Sequence, residues 1–137
     1  MLNAAFYSLL VAVLIGALLA VLHFANASNA RADVAKAANP PTGKKLPPWP
    51  LAALHALFAL GGFGLLLMAL RGPPRGLGQG TAAFGSIAAT LFVVAALFGG
   101  GLLAARLRRR IPNTTLIGFH AMIAITGFVI LMAYVFS

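Results

Sequence analysis

The sequence predicts an all-α membrane protein whose four transmembrane helices form two hairpins. Apolar residues fill 61% of the 137 positions and charged residues only 8%, whereas a soluble domain carries about 25% charged residues. A chain of this composition cannot cover a water-facing surface. It also contains four apolar segments, each of about 20 residues or more, which is enough to cross a hydrocarbon layer about 30 Å thick. We therefore expect one four-helix transmembrane domain, residues 1–137.

The four predicted helices occupy about residues 4–24, 51–70, 81–105 and 113–136. A polar, proline-containing loop at residues 25–50 separates the first two helices, because proline disfavours the helix interior. A Gly/Pro-rich segment at residues 71–80 ends the second helix. The fourth helix follows Pro112, and Asn113, Thr114 or Thr115 can cap its first turn.

The basic residues predict the orientation of the helices. Eight of them follow the first and third helices: Arg31, Lys36, Lys44, Lys45, Arg106, Arg108, Arg109 and Arg110. Only Arg71 and Arg75 follow the second helix. The positive-inside rule then makes residues 25–50 a cytoplasmic loop and places both termini on the non-cytoplasmic side, most simply in a bacterial inner membrane. The net charge of +9 reflects this topology and contact with membrane lipids, so no nucleic acid partner is expected.

Two of the helices repeat one pattern. Residues 55–70, HALFALGGFGLLLMAL, and residues 120–135, HAMIAITGFVILMAYV, are identical at six of sixteen positions. Counted from the histidine, these offsets are 0, 1, 4, 7, 8 and 11, which lie on one helical face. A weaker echo aligns Phe6 with Phe84 in the other two helices. We interpret the two hairpins as parallel repeats about an axis along the membrane normal, with convergent packing of small residues as the alternative.

The histidines are the candidate site. His55 and His120 begin the repeated pattern, about 8 Å inside the same membrane boundary, and His23 ends the first helix on that side. An ionisable residue in a membrane span is costly and usually has an interior partner. For two neutral imidazoles the obvious partner is a metal. We expect the carbonyls of Leu51 and Leu116, four residues earlier, to accept a hydrogen bond from the other ring nitrogen.

The small number of metal-ligating side chains in the sequence favours haem over a bare metal ion. Zinc and copper sites take three or four protein ligands, but the chain has no cysteine and a single acidic residue, Asp33. Haem needs only two axial histidines, because its macrocycle supplies the other four nitrogens. Two alternatives stay open: another tetrapyrrole, such as a bacteriochlorophyll with one axial histidine, or histidines that hydrogen-bond between helices without any cofactor.

The residues expected around a flat ring are matched small and aromatic side chains of the two repeated helices: Gly62, Gly127, Ala59, Ala124, Phe63 and Phe128. The residues expected to contact haem propionates or lipid headgroups are basic: Lys44, Lys45, Arg108, Arg109 and Arg110. For His23 we expect an interfacial position in contact with water. A quinone contact or a role as substitute ligand is the alternative for His23.

Two H-A-x-x-A-x-x-G-F faces, 55–63 and 120–128, in a four-helix membrane chain resemble the membrane b-type cytochromes. These include the cytochrome b561 class and the haem-bearing anchor subunits of quinone-linked dehydrogenases. The resemblance implies one non-covalent haem b held by His55 and His120, which exchanges electrons with quinone or with a partner redox subunit. Two-haem members of these classes need four such histidines, so this chain holds one haem at most.

Catalysis by the chain alone is not expected. It has no nucleophile with a base and an orienting group, and no glycine-rich phosphate loop followed by Lys-Ser/Thr. We expect at most a redox subunit of a larger membrane complex. The alternative is an accessory or structural subunit of a respiratory or photosynthetic complex, holding a pigment or no cofactor. Membrane lipids and other subunits of that complex are the expected partners in either case.

Overall fold

The computed structural model describes residues 1–36, 49–73, 77–108, 110 and 113–137. The described chain forms four α-helices: α1 (Leu2–Lys36), α2 (Trp49–Ala69), α3 (Phe84–Leu107) and α4 (Thr114–Val135). A short 3₁₀ helix, Leu77–Gln79, lies between α2 and α3. The predicted all-helical class and the four spans are therefore confirmed.

All four helices are long and apolar enough to cross a membrane, and the spanning part of α1 is Leu2–Asn26. Their outward faces carry large apolar side chains, among them Leu14, Leu57, Leu97 and Val129, each more than half exposed in the isolated chain. No polar or charged residue is buried in the described part of the chain. Apolar outward faces are what a lipid environment requires, so the chain is an integral membrane protein.

Helix α1 is longer than the sequence predicts. It continues to Lys36, about a dozen residues beyond the predicted end at residue 24, into the segment expected to be a loop. Residues 25–36 contain five alanines and neither glycine nor proline. Alanine has the highest intrinsic helix propensity, so this polar segment extends the helix beyond the apolar span.

The other helix ends lie within three residues of their predicted positions. Pro50 occupies the first turn of α2, where its missing N–H costs no hydrogen bond. Asn113 caps α4: its side chain accepts a 2.9 Å hydrogen bond from the backbone N–H of Thr115 and so satisfies one free donor of the first turn. Between α2 and α3 the chain turns at Gly80, whose φ of +71° favours glycine.

The helices pack as two antiparallel pairs. The most extensive contacts join α1 to α2 and α3 to α4, smaller contacts join α1 to α4, and α2 touches α3 only slightly. Within the described residues, no Cα atom of α2 lies within 8 Å of a Cα atom of α4, and the same holds for α1 and α3. Helices α2 and α4 are therefore diagonally opposite in the bundle.

The buried core occupies one half of the bundle. It comprises residues from the start of α1, the end of α2, the start of α3 and the end of α4, centred on the fully buried Leu66 and Leu131. Phe6 of α1 stacks on Phe128 of α4 with ring centroids 5.3 Å apart. Beyond Ala12 in α1 and Ala95 in α3 no described residue of these helices is buried. Tight packing thus stops near the middle of both spans.

Candidate functional site

His55 extends from α2 into the bundle at the level where the core ends. Its Nδ1 lies 2.8 Å from the backbone carbonyl oxygen of Ala12 in α1. A carbonyl oxygen can only accept a hydrogen bond, so Nδ1 carries the proton and donates. In the neutral imidazole this leaves the lone pair on Nε2, which is the form that binds a metal.

His120 makes the same contact in the other helix pair. Its Nδ1 lies 2.8 Å from the carbonyl oxygen of Ala95 in α3. The sequence predicted acceptors within the same helices, at Leu51 and Leu116, and this prediction is wrong. Each imidazole extends away from the axis of its own helix, so the carbonyl within reach belongs to the neighbouring helix.

Two glycines make room for the imidazoles. A Cβ atom on Gly16 of α1 would lie 2.9 Å from Cε1 of His55, and a Cβ atom on Gly99 of α3 would lie 3.0 Å from Cε1 of His120. Each glycine follows the acceptor residue by four positions, so the accepting carbonyl and the glycine lie on the same face of the helix. The backbone of α1 and the backbone of α3 therefore each hold one imidazole by an acceptor and a close contact.

The two imidazoles meet across the diagonal of the bundle. Their ring centroids are 6.0 Å apart and the ring planes make an angle of 78°. A metal–nitrogen bond of about 2.0–2.1 Å, plus about 1.1 Å from nitrogen to ring centre, places two axial imidazole centroids about 6.3 Å apart across one metal ion. The observed centroid separation of 6.0 Å is close to this value.

The described residues supply two imidazole nitrogens to this position. No group of three or more His, Cys, Asp or Glu residues that could hold a metal occurs among them. Two donors alone do not complete a zinc or copper site, whereas haem iron takes only its axial ligands from the protein.

The two glycines predicted to line the ring lie at contacts within each helix pair. Gly62 lies against Leu9 and Ser8 of α1, and Gly127 lies against Leu91 and Phe92 of α3. Each glycine faces the partner helix of its own pair. Their close contacts therefore join helices within each pair, about two turns further into the core than the histidines.

The other predicted ring neighbours divide into two groups. Ala59 and Ala124 are half-buried, one turn from the two histidines. Phe63 is half-buried against the core, and Phe128 is buried and stacked on Phe6. The alanines thus lie close to the histidines along the helix, whereas both phenylalanines belong to the packed half of the bundle.

The predicted basic contacts lie at the end of α3 or outside the described residues. Arg108 and Arg110 are exposed, and Lys44, Lys45 and Arg109 lie outside the described residues.

Two further groups lie beyond the histidine level. The guanidinium carbon of Arg106 lies 5.3 Å from the ring centre of Trp49, a cation–π contact between α3 and α2. His23 lies eleven residues beyond Ala12 in α1, about 16 Å along the helix, so the structure does not bring it to the other two histidines.

The two histidines contact α1 and α3 at residues that are related by one offset along the chain. Ala12 corresponds to Ala95, and Gly16 corresponds to Gly99 at the same offset along the chain. The alignment of Phe6 with Phe84 implied a shorter offset. An A-x-x-x-G pattern in both helices was the available signal, but such patterns are common in membrane helices and usually indicate helix packing.

Comparison with known proteins gives no relative. No protein family, no curated protein and no solved structure matches this chain. The functional argument therefore rests on the residues and their geometry.

Proposed function

We propose that this chain binds one haem b between His55 and His120 and transfers electrons within the membrane. One observation carries the proposal. Two imidazoles from diagonally opposite helices have centroids 6.0 Å apart, and a backbone carbonyl fixes the Nδ1 of each ring. Because each Nδ1 donates to a carbonyl oxygen, the lone pair of each imidazole is on Nε2, the atom that would bind a metal.

The chain supplies ligands, orientation and an apolar environment. The carbonyls of Ala12 and Ala95 select the tautomer and fix the orientation of each imidazole, as acceptors behind metal-bound histidines do. When bound, haem supplies a one-electron redox centre. A haem held by both His55 and His120 would use both histidines as iron ligands and would therefore favour one-electron transfer over oxygen binding. Electron transfer to a quinone or to a partner redox subunit follows as the role, in a larger complex and not as an enzyme alone.

The position of the pair supports this role. Ala12 and Ala95, which hold the two histidines, lie near the midpoints of the spans Leu2–Asn26 and Phe84–Leu107. His55 and His120, in contrast, each lie six residues after the start of their own helix, Trp49 in α2 and Thr114 in α4. Counted in this way, the site would lie closer to one boundary of the membrane. A more central site is equally suited to receiving electrons from one side and delivering them to a membrane-soluble carrier.

The proposal includes a topology. Both termini lie on the non-cytoplasmic side of a bacterial inner membrane, as the eight-to-two distribution of basic residues favours. The hairpins α1–α2 and α3–α4 are parallel repeats. The matched contacts support the repeat, because the first histidine meets Ala12 and Gly16 in the same way that the second meets Ala95 and Gly99.

An absorbance spectrum tests the proposal. The full-length chain, extracted in mild detergent from its native membrane or from a haem-producing host, should give a reduced-minus-oxidised spectrum with a b-type α band. His55→Ala and His120→Ala should each lose the low-spin spectrum, whereas His23→Ala should keep it. A natively extracted complex without haem, or a spectrum unchanged in both single variants, would refute haem ligation by this pair.

A second function is favoured by one specific observation. Two rings at 6.0 Å and 78° also form an edge-to-face aromatic contact, which needs no ligand. In this case the chain is an accessory or structural subunit of a respiratory or photosynthetic complex. The same extraction separates the two: no chromophore supports the structural subunit, and a bacteriochlorophyll absorbance supports a pigment-holding subunit.

A further inference from the structure

A shallow groove lies along the outward face of α4, in the half of the helix where it begins. Its volume is about 360 Å³, and its lining residues are Thr115, Gly118, Phe119 and Met122. These residues are three, one and three positions apart, so they share one helical face, and all four are exposed. The groove is thus about 10 Å long, parallel to the helix and open to the surroundings of the bundle.

A glycine and a stacked aromatic ring give the groove its shape. A Cβ atom on Gly118 would have no neighbour within 4 Å, so the space over the backbone is open. Phe119 stacks on Phe98 of α3 with ring centroids 6.2 Å apart and ring planes at 24°, which gives the groove an apolar wall. The corresponding residues of the repeated helix α2 are Ala53 and Leu54, so the glycine and the aromatic ring are specific to α4.

The groove ends at the membrane boundary beside a cationic loop. Thr115 lies in the first turn of α4, and the loop that precedes α4 begins with Arg108, directly after α3. Arg108 and Arg110 are both exposed. The single acidic residue of the sequence is Asp33, so α3, α4 and their connecting loop contain no carboxylate side chain that would neutralise these arginines.

We propose that this groove binds one anionic phospholipid. An acyl chain lies along Gly118 and Met122, and Arg108 and Arg110 bind the phosphate at the membrane boundary. The outward face of a membrane span is surrounded by hydrocarbon chains, and basic residues next to a span attract anionic headgroups and form charge-assisted hydrogen bonds with phosphate. The site lies on the outside of the bundle and is independent of the histidine pair.

Lipid retention by the full-length chain tests the headgroup part of the site. The chain in mild detergent is mixed with equal amounts of phosphatidylglycerol and phosphatidylcholine that carry the same acyl chains, and native mass spectrometry counts the bound lipids. We expect a preference of about tenfold to thirtyfold for phosphatidylglycerol, since each arginine near the surface contributes about fivefold. Arg108→Gln and Arg110→Gln should each reduce this preference by about fivefold. Arg71→Gln removes the same charge at the other end of the bundle and should leave it unchanged.

A second pair of variants tests the groove itself. Gly118→Leu fills the groove with a side chain that meets no neighbour at its Cβ, so the helix pair stays intact. It should reduce retention of phosphatidylglycerol by about tenfold, the equivalent of about two buried CH₂ groups. Ala53→Leu is the matched control, because it enlarges the corresponding exposed position of α2, and retention should stay at the wild-type level.

Competition and oligomeric state distinguish the lipid from other occupants. Inorganic phosphate should displace no more lipid than chloride at the same ionic strength, because it cannot occupy the groove, and specific displacement would reduce the site to a simple anion site. A wild-type dimer that Gly118→Leu dissociates would assign the groove to a second copy of the chain. Equal retention of the two lipids, or retention unchanged in both arginine variants or in Gly118→Leu, overturns the phospholipid site.

Discussion

Gly16 lies so close to His55 that a single added methyl group would meet the imidazole at 2.9 Å. Helix α1 is therefore shaped for the ring at this one position, one turn beyond the carbonyl that the ring contacts. The same relationship recurs at Gly99 and His120, at 3.0 Å. Both α1 and α3 thus combine an accepting carbonyl with a glycine one turn later, and these backbone atoms fix the orientation of both imidazoles.

The first prediction concerns these glycines. Gly16→Ala and Gly99→Ala should each displace one imidazole from its carbonyl, and each should cost about 1–3 kcal/mol by overpacking. Haem content of the purified chain and its unfolding in detergent are the measurements. Gly100→Ala is the control, because a Cβ there has no neighbour within 4 Å. Equal haem content in Gly99→Ala and Gly100→Ala would show that the close contact does not matter.

The second prediction concerns the contact between α1 and α2. A Cβ atom on Gly62 would lie 2.8 Å from Cγ of Leu9 and 3.0 Å from its backbone nitrogen. The backbone nitrogen of Leu9, unlike a side-chain atom, cannot rotate away from the added methyl group. Gly62→Ala should therefore separate α1 from α2 and weaken the 3.0 Å hydrogen bond that Ser8 donates to the Phe58 carbonyl oxygen.

We expect Gly62→Ala to destabilise by about 1–3 kcal/mol, measured by unfolding in mixed micelles. Gly64→Ala introduces the same methyl group two residues away, where nothing lies within 4 Å. This control should be neutral or slightly stabilising, since alanine is the better helix former. Similar unfolding of the two variants would contradict the tight α1–α2 contact.

The third prediction locates the stabilising core. Leu66 is fully buried, whereas its neighbour Leu67 is 43% exposed. Leu66→Ala should cost about 2–5 kcal/mol, because it leaves a cavity among packed side chains. Leu67→Ala should change stability by less than about 0.5 kcal/mol, as its side chain faces outward. An equal loss for both would indicate that the core is not centred in this half of the bundle.

Much of the fold could be predicted from sequence because its signals are local. Length and hydropathy determine the four spans, and Asn113 is a strong cap signal. The sequence predicts an end of α1 at residue 24 because the apolar span stops there, but the alanine-rich residues 25–36 continue the helix to Lys36.

The site was only half predictable, for a physical reason. The histidine pair follows from a repeat within α2 and α4, which sequence shows directly. The acceptors Ala12 and Ala95 are backbone carbonyls, so no side chain identifies them. Gly16 and Gly99 resemble ordinary packing glycines until tertiary structure brings a ring against each of them.

The last prediction concerns the contact between Trp49 and Arg106, which bridges α2 and α3 where their backbones are otherwise nearly separate. A double-mutant cycle of Trp49→Leu and Arg106→Gln should give a coupling energy of about 0.5–1 kcal/mol, the usual size of a cation–π contact. The cycle isolates this pair from other interactions of either residue. A parallel cycle with Arg108→Gln should give no coupling, since that side chain is exposed beyond the end of α3. Equal coupling in the two cycles would mean that Trp49 responds only to the net charge at this end of the bundle. It would then contradict a specific contact between the Arg106 guanidinium and the Trp49 ring.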